Sequence, residues 1–310
     1  VTEVVSVIVP MYRDWAGASR VAAALCEQQL PSDAQLEIVV VDDGSKDSPP
    51  QALCAMEQVQ LIRLPENVGR SGARNTGAAA AKGRYLLFID SDCLPLRGDF
   101  LSLHLQALRD GAIASTGHVT GIGHGFWNRY QQLASRRRQT QHRHANPWVG
   151  SSQNMAVLRT AFEHVGGFDL QYRHYGFEDR DLLIRLSELG TVTWVEAASV
   201  SHQDDLQLPM VALKMARAAQ ASATLFALRH PDAYRILGYA SLDTRLHPWL
   251  RLPARLIGPL VAPSARILNH WLERLPFWLS SKLVKTITAC AYLYGSTVKD
   301  PHHGDRQSPL

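Results

Sequence analysis

Cysteine is scarce in this chain and long apolar runs are missing from it, and each shortage narrows its class. Its four cysteines in 310 residues, Cys26, Cys54, Cys93 and Cys290, form no CxxC pair and no other metal-ligand spacing. That excludes a disulfide scaffold, and they read as small hydrophobes in a reducing compartment. No charge-free apolar stretch reaches the ~20 residues needed to span a bilayer; the nearest, Thr286–Val298, mixes in polar side chains. No basic segment followed by an apolar core opens the chain, because Val4–Val9 runs straight into a strand pattern. The expected location is therefore cytoplasmic.

Charge of one sign is lacking too: 32 Lys+Arg against 28 Asp+Glu leave only +4. The surplus is unevenly placed. Between Arg245 and Lys299 there are eight Lys or Arg (Arg245, Arg251, Arg255, Arg266, Arg274, Lys282, Lys285, Lys299) against one acid, Glu273. An anionic surface suits that distribution better than a nucleic acid. With 46% hydrophobic and 19% charged residues the composition is that of a globular protein with ample core.

What is present centres on Arg84–Pro95. A continuous aliphatic and aromatic run, Tyr85–Asp90, reads as a buried strand and ends in Asp90-Ser91-Asp92. Extended spacing aims both carboxylates to one side. Open α/β sheets place their ligands beyond the carboxyl ends of their strands, and paired carboxylates there can hold a divalent cation. An acidic turn alone is more often solvated or helix-capping, so the context decides.

Upstream, Val4–Val9 reads as a strand ending at Pro10, with Tyr12 just after it, and Gly17–Gln29 as a helix. Leu36–Val41 is a second strand stopping at Asp42-Asp43-Gly44-Ser45. Pro50–Glu57 is a short helix, Val59–Leu64 a third strand and Arg74–Lys82 an alanine-rich helix. Strand alternating with helix predicts parallel βαβ units, whose polar turns converge on one rim. Glu66–Asn75 carries glycines, with Arg70 and Arg74 near a helix N-terminus. It suits a diphosphate, or else is a glycine-capped loop with solvated arginines; it is neither GxGxxG nor a Walker loop.

Downstream, Phe100–Asp110 reads as a helix and Ile113–Val119 as a strand. Residues 121–148, with Arg136–Arg138, His142, Arg143 and His144, read as a solvated charge run, with a mobile loop over the site as the alternative. Val149–Leu158 holds a polar strand, and Thr160 caps a short helix ending at Gly166-Gly167-Phe168-Asp169. In Gly176–Leu186 three acids, Glu178, Asp179 and Asp181, open a helix anchored by Leu182, Leu183, Leu186 and Leu189. They either complement the helix dipole or carry chemistry. Thr191–Val200 is a strand followed by His202, a lone histidine of the kind usually found at a surface.

Beyond Pro209 the pattern changes to a helix over Met210–Arg229 and then Pro-punctuated amphipathic segments. These bear Trp249, Trp271, Phe277 and Trp278 among basic residues. They suit a membrane interface or a helical extension packed on the catalytic domain. The expected organisation is a catalytic domain over 1–208, a helical extension over 209–298 and a disordered tail over 299–310.

Taken as an ordered set, Val5-Ser6-Val7-Ile8-Val9-Pro10 with Tyr12, Asp42-Asp43-Gly44-Ser45, Asn67-x-Gly69 with Ala73-Arg74-Asn75, Asp90-Ser91-Asp92, Gly166–Asp169 and Glu178-Asp179-x-Asp181 resemble the family 2 glycosyltransferases, over about residues 4–205. The resemblance implies a GT-A type αβα sandwich, α/β in class. A Rossmann-like nucleotide-binding half and an acceptor half share one mixed sheet, with the C-terminal helices appended. It implies that Pro10, Tyr12 and Asp43 line the base and ribose of a nucleotide-sugar, with Asp43 accepting from the base. Arg70 and Arg74 then flank base and diphosphate, Asp90 with Ser91 faces the ribose, and Asp92 with His202 ligates Mn²⁺ or Mg²⁺. Asp179 is the implied general base, with Glu178 second. Gly167, Phe168 and Asp169 border the acceptor, and Asp181 holds acceptor or loop.

The implied reaction inverts the anomeric centre. Where the family commonly has Asn after the tyrosine, this chain has Arg13, and no Gln-x-x-Arg-Trp follows the acidic pair, so single-sugar transfer is expected. The expected donor is UDP-linked, by analogy, and the acceptor a glycan or lipid-linked hydroxyl. No nucleic-acid partner is expected, and an anionic membrane surface would be met through 245–298. A sugar nucleotidyltransferase would need a Gly-rich basic signature near the N-terminus, which Pro10–Arg13 does not supply. A binding or scaffold protein on a decayed transferase fold would show damaged acidic positions, and all are present.

Overall fold

The computed structural model describes residues 2–144 and 146–298, so the expected tail at 299–310 lies outside the described residues. The chain divides into two compact units. One takes in the residues up to Arg173 and Glu178–Asp204, the other His174–Phe177 and the residues from Asp205 onward.

The first unit opens with β1 (Glu3–Met11), α1 (Trp15–Cys26), β2 (Ala34–Asp42), α2 (Gln51–Cys54), β3 (Val59–Arg63), α3 (Gly69–Ala80) and β4 (Tyr85–Phe88). It continues with β5 (Cys93–Pro95), α4 (Phe100–Arg109), β6 (Ala114–Thr120), α5 (Phe126–Arg143), β7 (Met155–Leu158), α6 (Arg159–His164), α7 (Glu178–Ser187) and β8 (Val192–His202). The strands form one eight-stranded sheet in the order β3-β2-β1-β4-β7-β6-β8-β5. β3, β2, β1 and β4 are parallel, β7 is antiparallel to β4 and β6, and β5 is antiparallel to β8, so the sheet is mixed as expected.

Strand side chains alternate between faces, and both faces of the parallel half are covered. Val5, Val7, Val9, Ile38 and Val40 pack toward α1 (Val21, Ala22, Leu25) and α4 (Phe100, Leu101, Leu105). On the other face, Phe88 meets Phe162 and Phe168 at ring separations of 5.3 and 5.2 Å. Burial on two faces is why these strands read as unbroken apolar runs.

Several local expectations are corrected. Pro10 lies inside β1 rather than at its end. Ile8 O accepts from Ile89 on the β4 side and Met11 O from Asp43 on the β2 side. Alternation therefore puts the missing Pro10 amide on the β4 side, past the last β1–β4 pair, Ile8–Phe88, where no ladder bond is lost. α3 begins at Gly69 rather than at Arg74, so Arg70 stands in the helix together with Arg74. Thr160 is inside α6, whose N-cap is Leu158, and Leu189 is 44% exposed.

Most of the charge run at 121–148 is the 18-residue helix α5, neither loop nor lid. Past Phe126 its inward face is polar, so it carries no apolar periodicity. Buried Ser135 shares a 2.8 Å hydrogen bond with His118 Nδ1, and Arg138 donates to Val119 O.

The second unit contains α8 (Leu208–Gln220), α9 (Ser222–Arg229), α10 (Pro231–Ile236), α11 (Arg251–Asn269) and α12 (Phe277–Gly295). The single helix expected over 210–229 is thus broken at Ala221. α11 and α12 approach closely: a Cβ on Gly258 would stand 2.1 Å from the Tyr294 ring. Within this unit Phe177, at φ 72°, stacks on Phe226 with ring centroids 4.7 Å apart.

Candidate active site

The carboxyl ends of β1, β2 and β4 deliver the first group of residues. After β1, Tyr12 is 43% exposed and Arg13 takes a left-handed φ of 57°. Asn tolerates that conformation better than Arg. Arg13 N donates to Ser45 Oγ (2.8 Å), and its guanidinium lies 4.9 Å from the Tyr12 ring centre.

After β2 the two aspartates part company. Asp42 is buried and accepts from Ser45 N (2.9 Å) and Arg63 Nε (3.0 Å), a strut for the turn. Asp43 accepts from Val68 N (2.7 Å) and Gly69 N (3.1 Å), where the start of α3 favours negative charge. Burial pushes the Asp43 carboxyl up in spite of those bonds. Gly44, just after them, makes the tight turn at φ 80°, and a Cβ there would stand 2.5 Å from the Glu66 carbonyl carbon.

After β4, Ser91 Oγ donates to Asp14 Oδ2 (2.8 Å), and Asp14 Oδ1 accepts from Gly17 N in the first turn of α1. Asp90 turns inward to Arg74 Nη2 at 2.7 Å. Arg74 is 1% exposed, lies 5.3 Å from the Phe168 ring centre, and holds its Nη1 3.9 Å from Asp179 Oδ1 at the start of α7. Burial opposes its charge, but Asp90, Asp179 and Glu178 together raise its pKa.

Glu178 is buried, and burial and then the neighbouring Asp179 push its pKa up to about 7, against the pull of Arg74. Asp179 Oδ2 accepts from Ser151 Oγ at 3.1 Å. Among the described residues Arg74 Nε and Nη1, Glu178 Oε2 and Asp179 Oδ1 are buried without a hydrogen-bond partner. Buried polar atoms are seldom left so, and here they gather around one guanidinium.

The residues assigned to the acceptor fare differently. Phe168 is buried; its N–H donates to Asn75 Oδ1 (2.9 Å) and its carbonyl accepts from Asn75 Nδ2 (2.7 Å). Asp181 is fully buried in a fork with Arg185 (2.6 and 2.9 Å), and Arg185 in turn bonds Val165 O and Gly167 O. Of the two roles expected of Asp181, holding the loop fits this geometry, since its side chain faces no solvent. Asp169 Oδ1 accepts from Gln171 N at 2.7 Å.

The β5–β8 register opposes Cys93 and His202, and so brings Asp92 Oδ2 to 3.4 Å from His202 Nε2. Asp204 joins them, with one ligand atom from each of the three lying within 4.8 Å of the others. Sequence reasoning missed Asp204, an acid two residues past His202 and beyond the end of β8. Burial opposes ionisation of both partners, but the Asp92–His202 hydrogen bond and charge pair win, lowering the Asp92 pKa and raising that of His202. Two carboxylates with one imidazole suit Mn²⁺ well and Mg²⁺ less well. His202 Nδ1 is buried and without a hydrogen-bond partner among the described residues.

The raised Glu178 pKa has a sign that can be measured. Between the ordinary carboxyl value of 4.5 and about 7 the folded state holds a proton that the unfolded chain has lost. Stability from this group therefore falls as pH rises through that window and is level above it. Glu178→Gln should flatten that part of the curve in urea unfolding followed from pH 4 to 8; an unchanged slope would refute the buried, proton-holding Glu178.

The chain matches the family described as Glycosyl transferase family 2 over residues 6–166, and that described as the N-terminal domain of galactosyltransferase over residues 141–201. It is 31% identical over 246 residues to a pre-mycofactocin glycosyltransferase of Mycobacterium tuberculosis, an alignment covering 74% of this chain and 48% of the relative. It thus spans about half the length of that relative. In fold it is similar to the mannosyltransferase PcManGT of Pyrobaculum calidifontis, solved with GDP-Man and Mn²⁺. The TM-score is 0.62 at 21% identity, covering 98% of this chain and 88% of the other. S. aureus TarS 1-349 in complex with UDP is also similar, with a TM-score of 0.51 at 16% identity over 94% and 90% of the two chains.

Proposed function

Because the chain belongs to glycosyl transferase family 2, we propose that it moves one sugar from a nucleotide-sugar to a hydroxyl of a glycan or lipid-linked acceptor, with inversion. The observation that carries this reading is the buried Arg74, shared between Asp90 after β4 and Asp179 at the head of α7. It ties the expected donor side of the site to the expected base.

Pro10, Tyr12 and Asp43 border the base and ribose, with UDP the preferred donor nucleotide, and Arg70 lies toward the diphosphate. Asp92, His202 and Asp204 would hold Mn²⁺ or Mg²⁺, which when bound neutralises the departing diphosphate. Asp179 accepts the acceptor's hydroxyl proton as that oxygen bonds to the anomeric carbon and the bond from that carbon to the phosphate oxygen breaks on the opposite face. Ser151 aims the Asp179 carboxylate through its 3.1 Å hydrogen bond. Glu178 keeps the pair from carrying two charges in a buried site.

The test is calorimetric titration with UDP and with GDP, each with and without Mn²⁺, on the wild type and on Asp92→Ala. The expected result is binding of UDP that requires the metal and is lost in Asp92→Ala. Binding of GDP alone would move the donor to that nucleotide. Metal-independent binding would remove the three-residue site, and no binding to either would favour a scaffold role.

A further inference from the structure

Helix α11 leaves an apolar face in water. Its buried side is Ala254, Gly258, Val261 and Ala265. At ~100° per residue, the opposite side carries Leu252, Leu256, Leu260 and Ile267, which are 69%, 67%, 60% and 65% exposed. Pro259 and Pro263 fall within the same stripe and add no polar group to it. Scattered exposed leucines need no explanation, but a continuous aliphatic stripe does.

The charges around the stripe are ordered. On the same helical wheel Arg251, Arg255 and Arg266 line one flank, and α11 and α12 contain no acid at all. Trp249, 70% exposed, precedes the helix, and Trp271, 49% exposed, follows it with the Arg274 guanidinium 5.4 Å from its ring centre. Trp278 is 61% exposed with the Lys282 ammonium 5.3 Å from its ring. Tryptophan beside a cation at the ends of a basic amphipathic helix suits the headgroup level of a bilayer. No helix among the described residues is long and apolar enough to cross a membrane.

We propose that α11 lies in the plane of an anionic lipid bilayer, with Leu252, Leu256, Leu260 and Ile267 in the acyl boundary and Arg251, Arg255 and Arg266 on lipid phosphates. A second copy of the chain is the competing occupant. Pairing two such faces would gather arginines from both copies with no acid on α11 or α12 to neutralise them. Anionic headgroups supply that charge. The inference extends the lipid-linked-acceptor part of the proposed function. It is read without donor or cation, so its failure leaves the transferase reading untouched.

The experiment is flotation of the full chain with vesicles of phosphatidylcholine alone and of phosphatidylcholine mixed with phosphatidylglycerol, at low and high salt. The expected result is binding to the mixed vesicles, weakened by salt and accompanied by a blue shift of tryptophan emission. Arg251→Gln/Arg255→Gln/Arg266→Gln should weaken partition by roughly 100-fold, and Leu256→Ser/Leu260→Ser by about tenfold or more. Both variants alter exposed side chains only and should unfold at the wild-type temperature. Absence of flotation, equal binding to neutral vesicles, or partition unaltered in the variants overturns the proposal. So does a dimer in sedimentation that the leucine variant dissociates.

Discussion

Asp179→Asn should lower turnover by about 10²–10⁴-fold while leaving nucleotide affinity within a few fold of wild type. The amide keeps the size of the side chain and its bond from Ser151, so the loss isolates the proton-accepting role. Release of nucleoside diphosphate from the donor, with water or an added acceptor, is a sufficient readout. Glu178→Gln is the control. Glu178 is buried, and its raised pKa leaves it half protonated near neutrality, so its removal should cost far less than loss of Asp179. If Glu178→Gln abolishes turnover and Asp179→Asn does not, the base is Glu178 and Asp179 is the residue that positions it.

Arg74→Met should destabilise the first unit by about 3–5 kcal/mol. Methionine fills much of the volume over Phe168, so the loss measures charge more than packing. It strands Asp90, which is 9% exposed and held at 2.7 Å by Arg74. Urea unfolding gives the loss directly. Pairing the change with Asp90→Asn removes the stranded charge and should recover a large part of it. A variant as stable as wild type would mean that the guanidinium is not part of the fold and is free for a ligand.

These two predictions separate what was legible in the residues from what was not. β1, β2 and β4 were readable because both of their faces are buried, and their polar ends marked a common rim. The opening of α7 was readable because three acids precede a leucine-rich helix. α5 was not, since past Phe126 its buried residues are Ser135 and Gln139, with hydrogen bonds to His118 and to Val119 O and no apolar period. β5 spans only Cys93–Pro95 and has no period of its own.

The paired acids show the same division. Asp42 ends β2 and Asp43 follows it, but only the approach of Arg63 makes the first a strut, and only the start of α3 engages the second. Arg74 was expected at the nucleotide, yet Asp90 already occupies it.

Strand periodicity and turn chemistry are local properties, so the parallel half of the sheet, the order of its motifs and the chemical types gathered at one rim could be read from the residues alone. Which acids face one another could not. Asp92 meets His202 and Asp204 through the register of β5 on β8, and Arg74 meets Asp179 because α3 and α7 converge there. Pairings between residues so distant in the chain depend on how the sheet is ordered, and no local pattern encodes that order.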